Sequence, residues 1–107
     1  MTLGKVMVLG GYGGFGARLA RRLVADGWEV LVAGRNQQKA IAFAAQLPGA
    51  HGIRADRSAD LLPLLEHHRP MLVIDAAGPF QDSSYGVVEA CIAARVHYLD
   101  LADARHF

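Results

Sequence analysis

The stretch Gly10-Gly11-Tyr12-Gly13-Gly14-Phe15-Gly16 is mostly glycine, and Gly11, Gly13 and Gly16 fall at G-x-G-x-x-G spacing. Glycines at these intervals let a backbone come against the pyrophosphate of a dinucleotide. Each has a mechanical task in that reading. Gly11 makes a tight turn out of a strand, Gly13 removes a side chain from the phosphate contact, and Gly16 lets a helix pack closely on the strand. A plain glycine turn satisfies the same pattern, so context decides. The apolar run Val6-Met7-Val8-Leu9 precedes the loop and a helical pattern follows it at once. The whole loop, with Gly10, Tyr12, Gly14 and Phe15, is therefore expected to bind a cofactor.

Further residues extend the site. Gly34-Arg35-Asn36 follows the second apolar run, where an NAD site places Asp or Glu for the ribose 2′-hydroxyl. No acid stands there. Arg35 offers a planar, permanently charged fork suited to a 2′-phosphate, and Lys39 adds a second cation one turn on. NADP is thus favoured over NAD, the alternative being that Arg35 is a solvated loop residue. Asp56 ends the third strand and either accepts from an adenine amino group or bonds its own backbone in a turn. In Asp75-Ala76-Ala77-Gly78-Pro79-Phe80, Ala77, Gly78 and Pro79 keep side chains clear of the path toward the nicotinamide.

Other chemistry is weakly supported. His67 and His68 read as a solvated helix end rather than a metal pair, and no metal is expected. Cys91 lies on an apolar helix side and reads as core. Asp100 and Asp103 end the fifth strand and either line a cleft or cap the next element. No His–Asp or Ser–His arrangement nominates a catalytic residue.

The elements that hold these residues alternate. Strands are predicted at Lys5–Leu9, Glu29–Ala33, His51–Ala55, Met71–Asp75 and His97–Leu101. Between them run amphipathic helices. The first carries Phe15, Leu19, Ala20, Leu23 and Val24 on one face, with Gly27 as its terminator. The second starts near Gln37 with Asn36 as cap, and the third is short, with Asp60 as cap and Pro63 in its first turn. The fourth spans Ser84 to Ala94 with Val87, Val88, Cys91 and Ile92 inward. This βαβ alternation predicts a Rossmann-type three-layer αβα fold with a mainly parallel sheet ordered 3-2-1-4-5. A complete dinucleotide fold carries a sixth strand, so residues 1–107 are expected to form one NAD(P)-binding domain with a substrate domain beyond them.

Bulk properties narrow the class. A net charge of +1 provides no electrostatic footprint for nucleic acid or an anionic membrane. One cysteine excludes an internal disulfide framework and suits a reducing, cytoplasmic compartment. No apolar run is long enough to span a bilayer.

Three segments together resemble the saccharopine dehydrogenase-like oxidoreductases. They are Val8 through Gly16, Asp75 through Phe80, and Val88-Glu89-Ala90-Cys91 continuing through Val96-His97-Tyr98-Leu99-Asp100-Leu101. The resemblance implies a pyrophosphate loop at Gly11, Gly13 and Gly16, a ribose-phosphate residue at Arg35, and a nicotinamide-side loop at Ala77-Gly78-Pro79. Many relatives carry Gly-Glu where this chain has Asp103-Ala104, so no role of that glutamate transfers.

The expected function is nicotinamide dinucleotide binding for hydride transfer, without turnover by these residues alone. A small-molecule substrate is expected in the whole protein, with homo-oligomer formation. Two alternatives stand beside it: a non-catalytic NADP(H) sensor, and an extended short-chain dehydrogenase or epimerase. The latter is disfavoured because neither Tyr85 nor Tyr98 has a lysine four residues on.

Overall fold

Alternate residues of the first strand serve two different cores, and this organises the whole molecule. The computed structural model describes residues 3–56, 58–76 and 84–100. Among them β1 (Lys5–Leu9), α1 (Gly14–Ala25), β2 (Glu29–Gly34), α2 (Gln37–Ala44) and β3 (Ala50–Arg54) form the first half. Then α3 (Leu62–His68), β4 (Leu72–Asp75), α4 (Ser84–Ala94) and β5 (His97–Asp100) form the second. Every strand pair is parallel, and the order is β3-β2-β1-β4-β5. That is the predicted topology.

Val6 and Val8 of β1 face one way with Val30, Val32 and Ile74, and meet Ala17 and Ala20 of α1 and Ala40, Phe43 and Ala44 of α2. Met7 and Leu9 face the other way with Leu31 and Val73, and meet Leu65 of α3 and Val87, Ala90 and Cys91 of α4. Residues of a strand alternate between faces, so a strand covered on both sides must be apolar throughout. Each fully buried Val contributes about 1.5–3 kcal/mol relative to exposure. The edge strand β3 has no buried residue, and its exposed and half-buried positions mix.

Strand boundaries shift by a residue at several ends. β2 runs on to Gly34, β3 occupies Ala50–Arg54 and β4 starts at Leu72, while predicted Leu101 lies outside the described residues. Two helix faces need correction. Phe15 is 48% exposed, because it stands in the first turn of α1 at the carboxyl ends of the strands. Ile92 is 72% exposed, because Val87, Ala90 and Cys91 set the inward stripe of α4 and place Ile92 off it.

Helix ends follow local chemistry. Asn36 caps α2, its Oδ1 accepting from the Lys39 amide at 3.0 Å. Gly27 takes positive φ just after the α1 cap at Asp26. The α3 cap position is Leu61 rather than the predicted Asp60, whose Oδ1 instead accepts from the Leu62 amide at 3.0 Å. Lys5 Nζ donates to the His68 carbonyl at 2.9 Å, a cation at the negative end of α3.

Candidate functional site

The strand order reverses between β1 and β4, so the crevice of this sheet opens at the carboxyl ends of those two strands. The glycine loop leaves β1 there. Gly10 and Gly11 amides both donate to the Ala33 carbonyl, at 2.8 and 3.4 Å, which fastens the loop to β2. The Gly13 amide donates to the Gly10 carbonyl at 3.1 Å and closes the turn. The first helical bond is Ala17 to Gly13 at 2.6 Å. The cap position of α1 is Gly13, which has no side chain to accept from the first helical amides.

The glycines divide by what the protein itself requires of them. Positive φ falls on Gly10, at 76°, at the start of the turn that Gly11 and Tyr12 continue. Gly11 is required for closeness, since a Cβ there would stand 2.9 Å from the Val8 carbonyl oxygen. At Gly16 a Cβ would strike the Gly10 carbonyl, so its close packing is onto the loop backbone rather than the strand. Gly13 and Gly14 differ. Among the described residues, a Cβ on Gly13 would make only an ordinary 3.6 Å contact, and one on Gly14 would meet nothing within 4 Å. Neither has positive φ. Nothing among the described residues requires glycine at either position.

Arg35 and Asp56 come together at the ends of β2 and β3. Arg35 Nε lies 3.7 Å from Asp56 Oδ1, and the arginine side chain is 75% exposed. Asp56 also accepts from the Ser58 hydroxyl at 2.6 Å and the Ser58 amide at 3.0 Å. These two bonds, then the Arg35 and Arg54 charges, hold its carboxyl below the usual range against opposing desolvation. The turn arrangement weighed in the sequence is thus present. Asp56 remains charged at neutral pH, an acceptor beside an exposed cation.

Tyr12 makes a connection that sequence reasoning missed. Its hydroxyl oxygen accepts from the Asn36 amide at 3.0 Å, and its ring lies where a side chain at residue 34 would stand. The glycine loop, the end of β2 and the cap of α2 are therefore tied through one side chain. A glycine ending an apolar strand, directly before Arg35, is the signal that could have revealed it.

On the β4 side Asp75 is buried and accepts from the Tyr98 hydroxyl at 3.1 Å. The Ala76 amide donates to the Leu9 carbonyl at 2.9 Å. Ala77, Gly78, Pro79 and Asp103 lie outside the described residues. Cys91 is buried, and burial followed by the Asp75 charge pushes its thiol up to about 11. It is a core residue. The His67 and His68 rings meet edge to face at 4.8 Å, and no cluster of metal-ligating groups occurs among the described residues. A hollow of about 380 Å³ between the carboxyl-terminal ends of α3 and α4 lies away from the loop, lined by Leu65, Arg69 and Val96 among others.

A family model described as the saccharopine dehydrogenase NADP binding domain matches residues 6–106. The chain belongs to this family. NADP is accordingly the cofactor of the domain, with NAD possible. Serine 3-dehydrogenase of Agrobacterium fabrum is 43% identical over 54 residues, which are 50% of this chain and 22% of that enzyme. The chain thus spans well under two thirds of that relative's length. Among solved structures, the UDP-glucose-4-epimerase of Stenotrophomonas maltophila superposes with TM-score 0.75 at 16% identity, covering 91% of this chain and 36% of that one. Vestitone reductase from alfalfa gives TM-score 0.71 at 23% identity, covering 91% and 35%. These likenesses show the fold alone. Among the described residues no helix is long and apolar enough to cross a membrane.

Proposed function

We propose that this chain holds NADP(H) for an oxidoreductase, with its diphosphate on the crest of the glycine loop and its ribose 2′-phosphate beside Arg35. The observation that carries the reading is the pair Gly13 and Gly14, bare where packing among the described residues has room for a side chain. They border the start of α1, where the cap residue is a glycine and the helix dipole favours an anion. Arg35 and Lys39 supply cations, and no acid stands at the end of β2 to take a 2′-hydroxyl. Asp56 is left to accept from the adenine edge, and Ala77-Gly78-Pro79 to border the nicotinamide.

The bound cofactor supplies hydride chemistry, while the residues of this chain bind and orient it. Substrate contacts are assigned to a region outside these 107 residues, so the chain alone binds nucleotide without turnover. The assembly proposed is a homo-oligomer. The cytoplasm is the proposed compartment.

Calorimetric titration with NADPH and NADH tests the assignment. Tighter NADPH binding is expected. Equal affinity, or tighter NADH binding, contradicts the role given to Arg35.

A further inference from the structure

The loop that presents Arg35 is tied to the glycine loop through Tyr12. Arg35 itself is exposed and its ion pair with Asp56 is long. Asn36 bonds forward through its side chain to Lys39 and backward through its amide to Tyr12. The Tyr12 ring is half-buried against the core formed by Val8, Val32 and their neighbours, and it sits on the bare Cα of Gly34. One rigid aromatic side chain thus spans from the phosphate loop to Gly34 and Asn36, the two residues that flank Arg35.

We propose that Tyr12 is a specificity-determining positioning residue, which fixes Arg35 and Lys39 at a set distance from the diphosphate crest and so favours a 2′-phosphorylated ribose. This rests on the NADP(H) reading and deepens it. A dinucleotide that reaches the diphosphate and the 2′-phosphate together gains from both only if the two anchors are held in register. A dinucleotide without the 2′-phosphate uses one anchor, and the tie gives it little. Gly34 is the other half of the device. A Cβ there would enter the Tyr12 ring, touching Cε2, Cζ and the hydroxyl oxygen and no backbone among its nearest contacts. Any side chain at residue 34 therefore displaces Tyr12.

The test is a set of NADPH and NADH titrations of the whole chain and its Tyr12→Phe, Gly34→Ala and Arg35→Ala variants, with melting temperatures alongside. Tyr12→Phe keeps the ring and removes the acceptor for the Asn36 amide. It is expected to weaken NADPH about three- to tenfold, the range of one net hydrogen bond, with NADH changed less than about twofold. Gly34→Ala, which leaves Tyr12 chemically intact, should reproduce that selective loss. In the Arg35→Ala background Tyr12→Phe should cost NADPH less than about twofold, because the two residues act through one another. Three results overturn the proposal: equal losses for both nucleotides, an undiminished Tyr12→Phe effect without Arg35, or no effect of either Tyr12→Phe or Gly34→Ala. A native chain that does not prefer NADPH instead refutes the underlying reading, and the inference falls with it.

Discussion

The base of the glycine loop and its crest contain the same residue type for opposite reasons. At the base, Gly10 takes a left-handed conformation, Gly11 presses on the Val8 carbonyl and Gly16 presses on the Gly10 carbonyl. At the crest, Gly13 and Gly14 meet neither crowding nor strain among the described residues. A motif drawn as evenly spaced glycines hides this split. The base is glycine so that the chain folds, and the crest is glycine so that something else can approach.

Substitutions that separate folding from binding sharpen the contrast. The largest effect is expected from Gly16→Ala, whose Cβ meets immovable backbone. Overpacking of this kind costs about 1–3 kcal/mol. A domain of this size should then melt about 4–8 °C lower per kcal/mol, read by calorimetry or circular dichroism. Gly13→Ala should leave melting within about 1 kcal/mol of the native chain, as expected for a cap exchange without strain. NADPH affinity should nevertheless fall about tenfold, a loss comparable to one charge-assisted hydrogen bond. If Gly13→Ala melts as early as Gly16→Ala, the split between base and crest is broken.

Arg35→Ala extends the comparison to the neighbouring loop. Its side chain is exposed, so stability should hardly move, while NADPH affinity drops about tenfold and NADH affinity stays nearly constant. Matching losses for both nucleotides would mean that Arg35 serves the loop rather than the phosphate.

The smallest effect belongs to the opposite face of the sheet. Cys91 has its thiol raised to about 11 from an ordinary 9.0, so the folded chain holds that proton more tightly than the unfolded one. Its contribution is present in full below pH 9 and is lost as pH climbs toward 11. Cys91→Ala should flatten that decline in a chemical-denaturation series, and an unchanged slope would contradict the burial argument.

The layers were legible in the sequence for a simple reason. Val6-Met7-Val8-Leu9 and Val30-Leu31-Val32-Ala33 are apolar at every position, as only a strand covered on both faces requires. The register of α4 was less legible. Its stripe of Val87, Ala90 and Cys91 includes a small residue that hydrophobicity alone ranks below Ile92. Within the site, spacing located the loop and its turn, but glycine intervals do not encode which residue carries positive φ. Tyr12 over Gly34 escaped altogether, since that contact joins a loop to a strand end far along the chain and leaves no periodic trace. Arg35 and Asp56 were each found, but not their pairing, which depends on β2 and β3 being neighbours.

The central claim is most directly tested by following backbone amide resonances of the 15N-labelled chain during titration with NADPH. The amides of Gly13 and Gly14 should shift first and furthest, with those of Arg35 and Asn36 next, and NADH should move the first pair but not the second. Saturation with both crest amides unmoved, and shifts confined to another face, would contradict the account.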